Sequence, residues 1–186
     1  MLPEYMNPDQ PVGLIDGVVI RRLKVNRDPR GILVETLRTD WTDLYDSANR
    51  PFAQTYFSVT HAGVARDEDR WHLHHHQEDR FVVLSGDLVI AIADPRPDSP
   101  TRGALNLFKL GESNGDEGQY EVLVPRETLH GFVVVGEKSA TLINYPTQLY
   151  NPADELRVPF VEADVRLADG TPFSWDLVRQ RHAPAR

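Results

Sequence analysis

Four of the chain's seven histidines lie in one short run, RWHLHHHQEDRF, at residues 70–81. The pKa of histidine lies close to neutrality, so an imidazole can accept or donate a proton, and a neutral imidazole is also a common metal ligand. If residues 71–76 are extended, alternate side chains point the same way, and His72 and His74 share one face. Another histidine, His130, follows in the segment VPRETLHGF. These three imidazoles are the strongest candidates for chemistry.

The spacing of these residues fits a metal site. Two histidines at positions i and i+2, an acid at Asp79 or Glu78, and the distant His130 offer imidazole and carboxylate donors, which suit Zn, Fe, Ni, Cu or Mn. The alternative is an exposed polar turn without a site. Burial of imidazoles costs free energy unless they are hydrogen-bonded, so a barrel lined with them should have a polar purpose. Four other histidines are expected at the surface: His61, His75, His76 and His182.

Composition excludes several classes of function. The net charge of −8 argues against nucleic acid as the main partner, because phosphate-binding surfaces need clustered Lys and Arg. The chain has no cysteine, so disulfides, thiolate ligands and cysteine nucleophiles are excluded. The N-terminus lacks the features of a signal peptide, and no stretch approaches the roughly 20 apolar residues of a membrane span. We therefore expect no membrane partner and a cytoplasmic location.

Short apolar runs separated by turn signals extend along most of the chain. They are rich in Val, Ile, Leu, Phe and Tyr, as β-strands are. The two runs within 81–94 are joined at residues 85–87, Ser-Gly-Asp, which predict a turn. Only 41–48 and 173–180 have a helical pattern. The pattern predicts one all-β domain over residues 1–186, a sandwich or barrel, with flexible tails at about 1–11 and 181–186.

The order of several motifs resembles the dTDP-4-dehydrorhamnose 3,5-epimerase family of sugar-nucleotide epimerases. The resemblance covers roughly residues 15–176, and the matching segments are DPRGILVET (28–36), FAQTYFSVTHAGVAR (52–66), LSGDLVIAIADPRPDSPT (84–101), VPRETLHGF (124–132) and YNPADE (150–155). It implies a cupin jelly-roll barrel with short helical segments near the C-terminus. It also implies a homodimer, a nucleotide diphosphate sugar as substrate, and no metal or other cofactor.

In that family a histidine removes a proton beside a ketone, a tyrosine on the opposite face returns one, and a lysine stabilises the enolate. The resemblance implies His72 or His74 as the base, Arg80 in place of the lysine, and His130 as a partner or support. The position expected for the tyrosine is Asn144, so its neighbour Tyr145 is a possible acid only if a bulge turns it inward. A carboxylate partner for the base, expected near the C-terminus, has no clear counterpart.

The resemblance also implies residues that bind the substrate, namely Arg30, Glu35, Gln54, Arg66 and Tyr150. An aromatic expected in the nucleotide site is replaced by Leu33, and an expected asparagine by Tyr56. These departures leave three functions open. The first is an epimerase acting on a nucleotide-linked 4-keto-deoxysugar, either at two carbons or at one carbon only. The second is a metal-dependent cupin, either a small-molecule isomerase or a dioxygenase, and the third is a sugar- or nucleotide-binding cupin without catalysis.

Overall fold

The computed structural model describes residues 2–115 and 118–183. Twelve β-strands, two α-helices and a single turn of 3₁₀ helix at Glu112–Asn114 form within these residues. The strands are β1 (Val19–Arg22), β2 (Val25–Asp28), β3 (Gly31–Val34), β4 (Tyr56–Thr60), β5 (Arg70–Leu73), β6 (Asp79–Ser85), β7 (Asp87–Ala93), β8 (Leu105–Gly111), β9 (Tyr120–Val124), β10 (Leu129–Val135), β11 (Ala140–Asn144) and β12 (Leu156–Pro159). The helices are α1 (Phe160–Ala163) and α2 (Trp175–His182).

Ten of the strands form two antiparallel sheets. The first has the order β1-β9-β6-β11-β4 and the second the order β12-β5-β10-β7-β8, while β2 and β3 form a separate two-stranded hairpin. From β8 to β12 each successive strand lies in the other sheet, which is typical of a jelly roll. The predicted all-β jelly roll, with short helices near the C-terminus, is confirmed.

The predicted turn at residues 85–87 is the point at which the chain passes from β6 in the first sheet to β7 in the second. Gly86 has a φ of 69°, and a Cβ atom there would lie 2.6 Å from the carbonyl oxygen of Ser139. Glycine is required by both the left-handed backbone and the close approach of another strand.

Two apolar clusters stabilise the second sheet on its opposite faces. One fills the space between the sheets and includes Phe81, Ile90 and Phe108. The other covers the outer face, where Trp71 is fully buried against Phe173 and Trp175. The C-terminal segment therefore covers the outward face of β5 and separates it from solvent. The polar side chain of His72 lies on the other face of the strand, toward the space between the sheets.

The helix predicted over 41–48 is wrong. The segment forms turns around the buried Leu44, whose carbonyl accepts a hydrogen bond from Nη1 of Arg80 at 3.0 Å. The carbonyl of Asp43 accepts one from Nη1 of Arg50 at 2.8 Å. These carbonyls accept hydrogen bonds from guanidinium groups instead of from the backbone N–H groups of a helix. The segment therefore satisfies its carbonyls without forming the helix that its local sequence favours.

The described parts of the two tails contact each other. The Tyr5 ring stacks on His182 with ring centroids 5.6 Å apart. The N-terminal tail also pairs with β8, where the carbonyl of Leu107 accepts a hydrogen bond from the backbone N–H of Met6. The single domain and the flexibility of the tails stay predictions. None of the described helices is long and apolar enough to span a membrane.

Candidate active site

A pocket of about 500 Å³ opens between the two sheets and contains the three predicted histidines. Its apolar floor includes Phe81 and Leu142, which belong to the cluster between the sheets. A larger cleft of about 840 Å³, lined by segments near residues 93–107 and 163–169, contains none of the predicted site residues. The polar residues that line the smaller pocket are Gln54, Tyr56, Ser58, Arg66, Asp67, His72, His74, Gln77, Asp79, His130, Tyr150, Asn151, Asp154, Glu155 and Arg157.

Pairing of β5 with β10 brings the histidines together. His72 lies opposite His130 across these strands, and His74 follows directly after β5 on the same side as His72. The ring centroids of His74 and His130 are 5.4 Å apart, and those of His72 and His130 are 6.0 Å apart. One ring nitrogen of each of the three histidines lies within 4.8 Å of the others. The predicted convergence of the three imidazoles is present in the structure.

Backbone carbonyls fix the orientation of two of these rings. Nδ1 of His74 lies 2.8 Å from the carbonyl oxygen of Asp154, and Nδ1 of His130 lies 3.2 Å from that of Thr128. A carbonyl only accepts, so Nδ1 carries the proton in both rings. The Nε2 atoms consequently point at one carboxylate oxygen, Oδ2 of Asp79, at 3.6 Å from His74 and 3.3 Å from His130.

Asp79 is the buried acid of the pocket. It is 3 % exposed, and its other oxygen, Oδ1, accepts hydrogen bonds from Gln77 Nε2 and Asn144 Nδ2, each at 2.8 Å. Burial alone would raise the pKa of this carboxyl, but His130, His74 and Asn144 together hold the pKa below its usual value. Asp79 is therefore a carboxylate with one oxygen fixed by amides and the other directed at two imidazoles.

His72 has a carboxylate partner that the sequence did not reveal. Its Nε2 is in hydrogen-bond contact with Oδ2 of Asp67, and Oδ1 of Asp67 pairs with Arg157 at 3.2 Å. The indole N–H of Trp175 donates to the backbone carbonyl of Asp67 at 2.9 Å and holds that segment in place. Burial, followed by the proximity of His130, lowers the pKa of His72, which favours the neutral ring. The signal for Asp67 is the acidic triplet that follows GVAR.

Tyr56 is a second residue whose position the sequence did not predict. It lies on β4 in the first sheet, and its hydroxyl accepts a hydrogen bond from Asn144 Nδ2 at 2.9 Å. The Tyr56 side chain is 48 % exposed, but burial of its hydroxyl end and then the charge of Asp79 raise the pKa of Tyr56 to about 12. The phenol is protonated at neutral pH, as an unperturbed tyrosine is. His72 and Tyr56 face the same pocket from different sheets.

The geometry argues against the enolate role for Arg80. Its guanidinium is fully buried outside the pocket and donates to the backbone carbonyls of Leu44, Pro51 and Tyr145. Consecutive residues of a strand point to opposite faces, and Asp79 takes the inward position in β6. The inward position at the start of β6 therefore holds Asp79, one residue before Arg80.

Tyr145 is also directed away from the histidines. Its hydroxyl lies 2.6 Å from Thr36 Oγ1, its ring packs near Phe52, and it does not line the pocket. No bulge turns it inward, because Asn144 occupies the inward position at the end of β11. This argues against Tyr145 as the acid. Glu78, considered as a metal ligand, instead pairs with Arg50 at 2.6 Å.

The residues predicted to bind substrate fall into two groups. Gln54, Arg66 and Tyr150 line the pocket. Arg30 lies at the turn between β2 and β3, where it pairs with Asp28, and Glu35 pairs with Arg38 at the surface. Neither Arg30 nor Glu35 lines the histidine pocket of its own chain.

Three of the four histidines expected at the surface are exposed, and the fourth is partly buried. His61, His75 and His76 are exposed, and His182 is partly buried beside Tyr5. The backbone N–H groups of the turn after His74 are held by a buried carboxylate, Asp154, which lies 2.9 Å from the nitrogen of His75.

Comparison with known proteins assigns the chain to a family. The family described as dTDP-4-dehydrorhamnose 3,5-epimerase matches residues 13–174. The chain belongs to this family. A relative from Haloferax volcanii, named probable low-salt glycan biosynthesis epimerase Agl13, is 42 % identical over 149 residues, which are 78 % of this chain and 88 % of the relative. The protein is therefore an isomerase of the dTDP-sugar epimerase family.

Solved structures confirm the cupin-like jelly roll. A dTDP sugar isomerase from Desulfovibrio desulfuricans superposes with a TM-score of 0.71 at 24 % identity, covering 87 % of this chain and 92 % of the other. ChmJ from Streptomyces bikiniensis, a 3'-monoepimerase in complex with dTDP-quinovose, superposes with a TM-score of 0.68 at 23 % identity, covering 92 % and 84 %.

Proposed function

We propose that the protein epimerises a nucleotide-linked 4-keto-deoxysugar by removing and returning a proton at a carbon beside the ketone. The observation that carries this proposal is the placement of a histidine–aspartate pair and a protonated tyrosine on opposite walls of one pocket. Inversion of a carbon requires removal of the proton from one face and its return to the other, so a base and an acid on opposite walls suit the reaction.

His72 is the proposed base. Its Nε2 donates to Asp67, which leaves the lone pair of Nδ1 to accept the substrate proton. The Asp67 carboxylate stabilises the imidazolium that forms, as the acid of a histidine–aspartate pair does in other enzymes. Tyr56 is the proposed acid on the opposite wall, because its hydroxyl is protonated at neutral pH and accepts the hydrogen bond from Asn144, so its own proton is not used in that contact.

The rim of the pocket offers two arginines for the diphosphate of the substrate. Arg66 donates to Thr60 Oγ1 and to the carbonyl of Val59, and Arg157 pairs with Asp67 and Glu155. Planar guanidinium groups recognise phosphate oxygens through paired hydrogen bonds. The pocket volume of about 500 Å³ is in the usual range for a small-molecule site. The complex of ChmJ with dTDP-quinovose supports a dTDP-sugar as the ligand.

Hydrogen exchange at the sugar tests this proposal. Incubation with dTDP-4-keto-6-deoxyglucose in deuterated water should place deuterium at C3, at C5 or at both, and NMR identifies which. His72→Asn should lower the exchange rate by about 10²–10⁴-fold, the usual contribution of a general base. His76→Asn, at an exposed position of the same run, serves as the matched control and should exchange at the wild-type rate.

Two outcomes would contradict the proposal. If wild-type protein binds the nucleotide sugar but no substrate hydrogen exchanges, the chain is a binding cupin without catalysis. If His72→Asn exchanges as fast as wild type, another group is the base.

The proposal includes a homodimer in the cytoplasm. β4 is the outer strand of the first sheet and exposes Phe57 and Val59, and the β2–β3 hairpin exposes Ile32 and Leu33. Apolar side chains on an outer strand and a projecting hairpin favour burial against a second copy. Light scattering of wild type and of Leu33→Glu tests the dimer, and cell fractionation tests the location.

A further inference from the structure

One carboxylate, that of Asp67, has two partners at the side of the pocket. Its Oδ2 contacts Nε2 of His72, and its Oδ1 lies 3.2 Å from Nη1 of Arg157. The side chain of Asp67 is 12 % exposed, whereas that of Arg157 is 49 % exposed. One oxygen of Asp67 thus faces the proposed base, and the other faces a cation that a ligand can reach from solvent.

Glu155 holds the other end of the same guanidinium. Its Oε1 accepts a hydrogen bond from Nη2 of Arg157 at 2.9 Å, which is shorter than the 3.2 Å between Nη1 and Asp67. Its Oε2 accepts a hydrogen bond from the hydroxyl of Tyr150 at 3.1 Å. Because the two terminal nitrogens of Arg157 have separate partners, Nη1 can leave Asp67 while Nη2 stays with Glu155.

The two arginines that line the pocket differ in the charge of their partners. Arg66 donates to Thr60 Oγ1 and to the carbonyl of Val59, both of which are neutral. Arg157 instead lies between two carboxylates. A diphosphate at Arg66 therefore meets a cation held by neutral groups, whereas at Arg157 it has to compete with a carboxylate.

We propose an ion-pair switch, in which Nη1 of Arg157 leaves Asp67 for the diphosphate of the substrate and the Asp67 carboxylate is left to His72 alone. The switch rests on the proposed function, since it takes His72 as the base and a nucleotide diphosphate sugar as the ligand. A diphosphate carries more negative charge than one carboxylate and binds a planar guanidinium through paired hydrogen bonds. Glu155 keeps the arginine at the pocket while the partner of Nη1 changes.

The ion-pair switch makes proton removal depend on the diphosphate. While Arg157 is paired with Asp67, its positive charge opposes formation of the imidazolium at His72. Once Nη1 binds phosphate, the diphosphate balances the charge of Arg157, and the carboxylate stabilises the imidazolium. A keto-sugar without a diphosphate does not cause this change. The arrangement therefore selects nucleotide-linked substrates in the reaction as well as in binding.

A double-mutant cycle on the affinity for dTDP tests the ion-pair switch without any catalysis. Calorimetry measures the Kd of dTDP for wild type, Asp67→Asn, Arg157→Gln and the double variant. Asp67→Asn removes the competing charge, so dTDP should bind about tenfold more tightly, whereas Arg157→Gln should weaken binding by at least about tenfold. In the Arg157→Gln background, Asp67→Asn should change the Kd by less than about threefold, because no arginine is left to release.

The loss of a negative charge needs a matched control, because any acid removed near the pocket favours an anion. Glu68 follows Asp67 in the sequence but pairs with Arg179 and does not line the pocket. Solvent screens this exposed acid, so Glu68→Gln should change the Kd of dTDP by less than about threefold. Circular dichroism confirms that each variant is folded.

Three results of the binding cycle would overturn the ion-pair switch. The first is equal tightening by Asp67→Asn with and without Arg157, which would show an effect of charge alone. The second is unchanged or weaker binding of dTDP by Asp67→Asn. The third is tightening by Glu68→Gln as large as that by Asp67→Asn.

Steady-state kinetics separate the ion-pair switch from a purely structural role of Arg157. In Arg157→Gln the Asp67 carboxylate is always available to His72, so the loss should lie in KM, which should rise about 10–100-fold, while kcat falls less than about threefold. Arg157→Lys restores the positive charge and should recover part of the loss in KM. A fall in kcat of more than about tenfold with an unchanged KM would show that Arg157 only holds Asp67 in place, and would overturn the switch.

The two proposals fail in different ways. If the dTDP cycle shows the expected coupling but wild type exchanges no substrate hydrogen, Arg157 still changes partners on binding and the epimerase is wrong. If hydrogen exchange depends on His72 but the cycle shows no coupling, the epimerase stands and the ion-pair switch is wrong.

Discussion

Asn144 Nδ2 donates a hydrogen bond to the hydroxyl oxygen of Tyr56 at 2.9 Å. The orientation of the amide is fixed, because Asn144 Oδ1 accepts the backbone N–H of Arg80 at 3.0 Å and Nδ2 also donates to Asp79. The Tyr56 oxygen is therefore an acceptor in this contact, and its own proton is free to be donated into the pocket. Asn144 occupies the position at which the resemblance implies a tyrosine. Its side-chain amide holds the hydroxyl of Tyr56 on the neighbouring strand β4.

Substitution of Tyr56 should separate proton removal from inversion. In Tyr56→Phe the base still removes and returns a proton on its own face, so deuterium should still enter the substrate. The epimerised product should form about 10²–10³-fold more slowly, as expected for loss of a general acid. NMR of one reaction mixture measures both rates. Tyr145→Phe is the matched control, because its hydroxyl contacts Thr36 outside the pocket. A loss of inversion in Tyr145→Phe alone would contradict the assignment.

Arg80 should contribute to stability rather than to the reaction. Its guanidinium holds three backbone carbonyls of the turn segment and the end of β11, and it is fully buried. Arg80→Met leaves these carbonyls without donors, so we expect the free energy of unfolding to fall by about 3 kcal/mol.

Denaturant unfolding of Arg80→Met measures this loss of stability. At a temperature where the variant is folded, its kcat/KM should stay within about threefold of the wild-type value, because Arg80 makes no contact with the reacting groups. Arg38→Met is the control, because Arg38 forms surface ion pairs with Glu35 and Asp40, and it should unfold close to wild type. A fall in kcat/KM of more than 100-fold in folded Arg80→Met would restore its role in the reaction.

The fold was predictable because strand periodicity is repeated along the chain, whereas the site depended on single-residue register. His72, His74 and His130 could be predicted to converge, since alternation along β5 and a distant partner strand suffice for that. Which residue of β6 points inward could not be predicted, because a shift of one position along the strand places Arg80 instead of Asp79 in the pocket. Asp67 and Tyr56 reach the site through tertiary contacts with Trp175 and Asn144, which no local pattern encodes.

The failed helix at 41–48 has the same physical origin. Its local propensity is overridden by two arginines that bind its carbonyls, Arg50 just beyond the segment and Arg80, which is distant in sequence.

Asp154 should position His74 through the backbone. Its carboxylate accepts the N–H groups of His75, His76 and Gln77, and its carbonyl holds Nδ1 of His74. Asp154→Ala removes the carboxylate and leaves these partly buried N–H groups without their acceptor, so stability should fall by about 1–3 kcal/mol. Asp154→Asn keeps an acceptor oxygen and should recover most of this loss. Thermal unfolding of both variants measures the difference, and equal stability of Asp154→Ala and wild type would contradict it.

Glu121 makes folding stability depend on pH. This β9 carboxyl is fully buried, and neither oxygen has a hydrogen-bond partner. Burial, opposed in part by Arg80, raises the pKa of Glu121 from 4.5 to about 8. Because the folded pKa exceeds the unfolded one, the folded state favours the neutral carboxyl over the carboxylate. The contribution of the neutral Glu121 carboxyl to the free energy of unfolding is complete below pH 4.5 and is lost as the pH rises through about 8.

Replacement of this carboxyl by a neutral isostere should remove that dependence. The difference in unfolding free energy between Glu121→Gln and wild type should grow in favour of the variant from about pH 4.5 to 8, and reach on the order of 4 kcal/mol at the upper limit. Denaturant titrations at pH 5, 6, 7 and 8 measure it, with Glu137→Gln, an exposed site, as the control. Parallel pH profiles for Glu121→Gln and wild type would show that Glu121 is ionised in the folded protein, held there by the neighbouring guanidinium of Arg80.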